Sequence, residues 1–416
     1  MKRFIPFMAI VFFAVNSAFA QTAKEHIERG AAAISANDLA RAIEEFTKAI
    51  DIEPNNAGLY FARGCARHDV RDFEGAMADF DAAIKIAPEH ALAYNGRGRV
   101  KVSKGDTDGA IAEYDKAIEL DHENHLHYSC RSFAKAYKED IEGALADINK
   151  AIELKPNAPA YYRQRVKVKR LQGDLDGAIV DCTHAIKLDP NVIEAYMQRA
   201  VLLGDNGKFD SALADYDKAI QLKPDSAIAW CARGSLRAFE GDLVGALSDY
   251  NKAIQLNPTF PASYYTRGCL HYDQENWKDA LSDFRKVVEL DPADSYTHFR
   301  IFLTRARLGE KEEATKNLQQ FLDVLKEKDP SAWEVKIASF LLGQLSEADL
   351  LKAAEHSVIK RRNLERQCEA FFYIGVLQML ANNKSAAIEK FQKCVDTKAV
   401  TFAKSSAAAE LKRLAP

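Results

Sequence analysis

From about residue 23 onward, apolar positions recur at spacings of three and four, the period of a helix with one buried face. Each run breaks at Gly or a polar pair and then resumes. The breaks are regular. Proline stands at Pro54, Pro88, Pro156, Pro190, Pro224, Pro258 and Pro292, every 34 residues except where His122 takes one place. Twelve residues before each of these eight places is an alanine: Ala42, Ala76, Ala110, Ala144, Ala178, Ala212, Ala246 and Ala280. Twelve residues earlier again come Gly30, Gly64, Gly98, Ser132, Val166, Ala200, Gly234 and Gly268. Small residues at these two places let paired helices approach closely. An aromatic four residues after the alanine (Phe46, Phe80, Tyr114, Tyr216, Tyr250 and Phe284) fills the space beside the contact, with Ile148 and Cys182 as departures.

The pattern predicts two antiparallel helices per unit. Proline closes the second helix because it lacks the backbone donor that continuation needs. One pair cannot bury its apolar face alone, so neighbours must stack. The expected fold is all-α: a right-handed solenoid of stacked antiparallel helix pairs, with eight units over 21–294 and a helical cap over 295–416.

The place before the small residue holds arginine in every unit: Arg29, Arg63, Arg97, Arg131, Arg165, Arg199, Arg233 and Arg267. Sixteen residues later stands an acid: Glu45, Asp79, Glu113, Asp147, Asp181, Asp215, Asp249 and Asp283. Antiparallel helices bring the two places together. The repetition predicts a structural ladder of arginine–carboxylate pairs, with two-pronged geometry open to arginine.

The order of small residue, alanine, aromatic and proline over roughly residues 23–294 resembles the tetratricopeptide repeat family. Arginine is a departure, since the family's usual residue at that place is aliphatic. The resemblance implies a scaffold that binds other proteins or extended peptides, with no catalysis and no cofactor. In that architecture the first helices line a concave groove, reached from places 2, 5, 9, 12 and 13 of each unit. Candidate binding residues there are Phe61, His68, Asn95, Arg99, Phe133, Tyr137, Arg163, Lys167, Arg170, Met197, Phe239, Tyr265 and Tyr272, aromatics on either side of a basic centre. They do not match the Lys and Asn arrangement with which chaperone-associated family members clamp a C-terminal carboxylate. Aromatic grooves also stack on sugars, so a cell-wall or carbohydrate ligand is the alternative.

After Pro292 the pattern degenerates, with Leu318 where the aromatic is expected. Ser346 and Asp349 form a helix-opening pair. One more repeat-like unit runs from Cys368 through Phe371, Gly375, Ala387 and Phe391, and a last helix reaches about Leu414. The stretches Trp333–Ser346 and Glu369–Gly375 resemble the C-terminal part of the new-lipoprotein-I-like periplasmic proteins. That resemblance covers roughly 295–413 and implies partners such as a periplasmic protease or an envelope assembly complex. The array here is longer, and the lipid-bearing cysteine of that family is missing.

The first twenty residues are built differently. Lys2 and Arg3 precede an apolar run from Phe4 to Val15, then Asn16, Ser17, Ala18, Phe19 and Ala20. This order predicts a cleaved export signal with the cut before Gln21, hence a periplasmic or secreted chain. The run falls short of the roughly 20 residues that span a bilayer, and no second run of spanning length follows, so the mature chain is expected to carry no integral membrane segment. The first cysteine is Cys65, so the usual lipid attachment is absent.

With 57 Lys and Arg against 60 Asp and Glu, the chain lacks the positive excess that nucleic-acid binding needs. No phosphate loop, dinucleotide turn or nucleophile elbow occurs. His122, His125 and His127 are the nearest approach to a metal cluster, in a junction that does not obviously converge them. Seven cysteines are spread without a C-x-x-C pair. Cys368 and Cys394 start the first helix and end the second helix of one unit, ends that antiparallel packing sets side by side, so they are a candidate disulfide in an oxidising compartment, and Cys231 with Cys269 is a weaker combination.

Overall fold

In the computed structural model, residues 22–355, 360–397 and 402–414 are described; the expected leader and its cut before Gln21 lie outside them. The described residues contain helices and no strand. The chain divides into two compact units, the first ending at Lys208 and the second beginning at Phe209. This boundary falls inside the sixth repeat. A stack held by nearest-neighbour contacts has no single core to mark a natural border.

In the first unit the helices are α1 (22–35), α2 (Leu39–Ile52), α3 (Ala57–Asp69), α4 (Phe73–Ile86), α5 (Ala91–Ser103), α6 (Thr107–Leu120), α7 (His125–Tyr137), α8 (Ile141–Leu154), α9 (Pro159–Gln172), α10 (Leu175–Leu188) and α11 (Ile193–Asp205). Successive helices pack as hairpins, and each odd-numbered helix from α3 to α7 also touches the next odd one. The turn between the two helices of each repeat carries a residue of positive φ, Gly105 and Gly173 in two cases but Asn37, Arg71 and Glu139 in three others. An aspartate then caps the second helix. Asp72 Oδ1 accepts from Gly75 N at 2.9 Å, and Asp106, Asp140 and Asp174 do the same for the glycine three residues on.

The small residue works as the sequence implies. A β-carbon on Gly64 would lie 2.8 Å from the Phe80 ring, and one on Gly98 would lie 2.5 Å from Tyr114. Where Val166 replaces glycine, Cys182 replaces the aromatic, and the two share one buried cluster. Bulk lost on one helix is thus returned by its neighbour.

The second unit holds α12 (Phe209–Leu222), α13 (Ala227–Glu240), α14 (Leu243–Leu256), α15 (Pro261–Asp273), α16 (Trp277–Leu290), α17 (Ser295–Arg307), α18 (Lys311–Lys328), α19 (Trp333–Leu341), α20 (Glu347–Ala354), α21 (Lys360–Leu380), α22 (Lys384–Asp396) and α23 (Phe402–Leu414). Through α16 the repeat is regular, and Gly234 and Gly268 sit against Tyr250 and Phe284. Beyond it, one large cluster gathers residues from Tyr272 to Ala407. Ser346 opens α20 by accepting from Asp349 N at 3.1 Å. α21 and α22 restore the repeat, with Gly375 against Phe391, and α23 packs on both. No described helix is long and apolar enough to cross a membrane.

Candidate functional site

The arginine ladder forms. Arg131 donates from Nε to Asp147 Oδ2 at 2.8 Å and from Nη2 to Oδ1 at 2.6 Å, and Arg63–Asp79, Arg165–Asp181, Arg233–Asp249 and Arg267–Asp283 share that two-pronged geometry. Arg97 places both donors on Oε2 of Glu113, and Lys101 takes Oε1 at 2.7 Å. The acids are all buried, so each carboxylate needs its cation.

Two further parts of the ladder escape a reading by spacing within one unit. The free Nη1 of each arginine donates backward by sixteen residues to the preceding repeat. Its acceptors are Thr47, Asp81, Asp115 and Asn149 in the first unit, Asp217 and Asn251 in the second. Each guanidinium also lies over the aromatic three residues earlier: Tyr60, Tyr94, Tyr128, Tyr162, Trp230 or Tyr264, at 4.7–5.8 Å. One side chain therefore ties three helices.

Arg199 and Asp215 fall in different units. Arg199 sits over Tyr196 and donates to Thr183 Oγ1 at 3.1 Å, and Asp215 is buried. The first rung departs from expectation. Arg29 is exposed and pairs with Glu25 at 3.3 Å, while Glu45 takes His26 at 2.7 Å. α1 begins the described stack, with no earlier repeat among the described residues for Arg29 to reach, and His26 on the same helix meets the acid instead.

In the first unit, the proposed residues divide into packed and open ones. Phe61 is half-buried between Phe80 and His90, with ring centroids at 5.9 and 5.3 Å. Asn95 is buried, and its Oδ1 accepts from Cys130 Sγ at 3.7 Å. Arg99 lies 3.5 Å from Asp69 and 3.4 Å from His68 Nδ1. Met197 is half-buried.

Phe133 and Tyr137 on α7 are open, at 51% and 74% exposure. Lys167 on α9 is exposed, and among the described residues no carboxylate pairs with it. Arg163 and Arg170 hold only long pairs, 3.8 Å to Glu194 and 4.0 Å to Asp205. Leu126 and Leu171, which the groove assignment omitted, add exposed apolar area on the same two helices. Ser129 and Gln164 exchange two hydrogen bonds at 2.6 and 2.8 Å, holding α7 and α9 in register.

In the second unit Phe239 is open and rests against Phe209 at 5.4 Å. Tyr265 is half-buried against Phe284, and burial raises its hydroxyl pKa. Tyr272 corrects the expected groove. It is 1% exposed, with its ring edge-on to Trp277 at 4.8 Å and Arg300 over it at 5.5 Å. The physical reason is long-range: the chain's end returns over this place, and Arg413 donates to the carbonyls of Tyr272 and Asp273 at 3.4 and 3.0 Å.

The histidine run diverges. His122 faces solvent beside Glu123, His125 meets the Tyr161 hydroxyl, and His127 is fully buried with its pKa lowered by desolvation. No group of three His, Cys, Asp or Glu among the described residues is placed to hold a metal.

Models of the tetratricopeptide repeat match residues 26–56, 61–124, 193–226, 261–294 and 369–397. The last of these is the unit traced from Cys368. No curated protein sequence matches the chain. Among solved structures, it is similar to a tetratricopeptide repeat protein from Parabacteroides merdae, at 20% identity over 57% of this chain and 94% of that one, TM-score 0.45. It is also similar to YrrB, a repeat protein with an unusual peptide-binding site, at 28% identity over 45% and 97%, TM-score 0.36. A third similar structure is pilF of Pseudomonas aeruginosa, at 19% identity over 51% and 96%, TM-score 0.44. Several independent repeat matches, in register with the helix pairs and their small-residue contacts, agree: the chain belongs to the tetratricopeptide repeat family, whose members are protein-interaction scaffolds.

Proposed function

We propose that this protein is an exported, non-catalytic scaffold that holds segments of other proteins on the inner face of α7 and α9. One observation carries the reading. Phe133 and Tyr137 expose their rings on one helix while Lys167, without a carboxylate partner among the described residues, stands on the next. Exposed rings supply contact area at small entropic cost, and an unpaired ammonium supplies charge recognition. Arg163 and Arg170 sit alongside with long pairs that a bound carboxylate can exchange. The matching ligand is an extended peptide with apolar side chains beside acidic ones.

Export is supported by the leader's order of Lys2, Arg3, apolar run and Ala18-Phe19-Ala20. The likeness of residues 295–413 to the new-lipoprotein-I-like proteins favours a Gram-negative periplasm and, as partner, a protease or envelope assembly complex. Mass spectrometry of the protein made in a Gram-negative host should give a chain beginning at Gln21 in the periplasm. An intact Met1 in the cytoplasm would contradict export.

Binding is tested by selecting a displayed peptide library on the full chain. Enriched acidic–apolar peptides should lose affinity at least tenfold on Tyr137→Ala or Lys167→Glu, and keep it on Glu119→Lys on α6. Equal loss in all three variants, or retention of purified peptidoglycan with no peptide enriched, would overturn the peptide reading.

A further inference from the structure

The last helix pair brings two cysteines together. Cys368 on α21 and Cys394 on α22 are both fully buried, and their Sγ atoms are 2.8 Å apart without being bonded. Non-bonded heavy atoms settle at about 3.5–4.0 Å, and a disulfide closes to roughly 2.0 Å. The pair therefore already stands inside ordinary packing distance.

The repeat explains why. Aligning Gly375, Ala387 and Phe391 with Gly64, Ala76 and Phe80 puts Cys368 and Cys394 at the places of Ala57 and Ala83. In the second unit the same places hold Ala227 and Ala253. Each alanine pair shares one buried cluster. The helix hairpin thus holds two β-carbons close at these places whatever the side chains, and only in the α21–α22 pair do both carry sulfur. By contrast Cys231, which spacing offers to Cys269, meets Thr266 Oγ1 at 3.5 Å.

We propose that Cys368 and Cys394 are a covalent cross-link site, joined as a disulfide by exchange with the disulfide of an oxidised thiol–disulfide oxidoreductase or of oxidised glutathione. One thiolate attacks the oxidant to give a mixed disulfide. The second then displaces the oxidant's sulfur, forming the Sγ–Sγ bond. Two electrons pass to the oxidant, which leaves as two thiols carrying the two protons lost.

Burial sets the order of events. The neighbouring sulfur and desolvation both raise the Cys394 thiol pKa, so the packed pair is neutral and shielded, and exchange takes place before α22 closes on α21. Once formed, the bond ties the hairpin against which α23 packs, the same helix whose Arg413 closes over Tyr272. This inference does not depend on the peptide-binding reading.

The full chain would be unfolded and refolded with oxidised glutathione or with dithiothreitol, then denatured, alkylated and mapped by mass spectrometry. Oxidative refolding should yield a peptide joining Cys368 to Cys394, with the other cysteines alkylated. After reductive refolding, the folded protein should alkylate at these two positions at least ~100-fold more slowly than the unfolded chain. Oxidised protein should melt roughly 5 °C higher than reduced. The Cys368→Ala/Cys394→Ala variant, which restores the pair found in other repeats, should fold and melt alike in both conditions. Full alkylation of both cysteines after oxidative refolding, pairing of either with a different cysteine, or a melting temperature of the natural chain that ignores oxidation would each overturn the proposal.

Discussion

The same helix face is open on α7 and α9 of the first unit and closed on α15 and α17 of the second. In the first unit, α7 and α9 leave Phe133, Tyr137 and Lys167 in solvent. In the second, the corresponding faces of α15 and α17 hold Tyr272, Phe299 and Leu303 at no more than 1% exposure. The occupant there is the chain itself. Tyr373 of α21 meets Phe299 edge-on at 5.8 Å, Tyr296 donates to Glu369 at 3.1 Å, and Arg307 pairs with Glu410 of α23 at 3.4 Å. A ring on this face is therefore core where the chain returns over it and recognition surface where nothing does.

Truncating the two tyrosines separates the roles most sharply. Tyr272→Ala should lower the unfolding free energy of the second unit by about 3–4 kcal/mol, the cost of a large buried ring. Tyr137→Ala should change stability by less than about 0.5 kcal/mol. Denaturant titration of both variants checks this, and equal losses would erase the distinction.

The ladder is common to both units, so breaking one rung should cost the same wherever it lies. Arg131→Ala leaves Asp147 with Lys135, 2.9 Å away, as its remaining cation and should cost roughly 2 kcal/mol. Arg233→Ala should do likewise for Asp249. A loss under about 1 kcal/mol at either site would make the ladder ornamental.

The closed face should also titrate. Burial pushes the Glu369 carboxyl up to about 7 from 4.5, against the hydrogen bonds from Trp333 and Tyr296 that favour its charge. Because the folded pKa lies above the unfolded one, this group's contribution is complete below about pH 4.5 and fades as pH rises through 7. The second unit should lose on the order of 2 kcal/mol between pH 4.5 and 8, and Glu369→Gln should flatten that slope. An unchanged slope would assign the pH dependence to other groups.

The smallest expected effect is a gain. Glu139 turns the α7–α8 hairpin at φ 64°, where other turns use Gly105 and Gly173. Glu139→Gly should stabilise the first unit by about 0.5–1 kcal/mol, less the entropy glycine adds to the unfolded chain.

Much of this was legible in the sequence wherever both partners recur within one 34-residue unit. The pairing of Arg63 with Asp79, and of Gly64 with Phe80, follows from antiparallel spacing alone. The backward bond from Arg97 to Asp81 was not legible, because its partner belongs to the preceding repeat and varies among Asp, Asn and Thr. Arg29 was misread because spacing alone does not show that His26, on the same helix, takes Glu45. Tyr272 was assigned to the groove because nothing local to α15 announces that Arg413, far along the chain, folds across it.

The central claim is that the open face of α7 and α9 is where a partner docks. Hydrogen–deuterium exchange of the full chain, with and without a saturating selected peptide, tests it most directly. The account requires added protection within His125–Tyr137 and Pro159–Gln172 and none within Ser295–Arg307. Protection confined to the second helices of the repeats, or to α17, would contradict it.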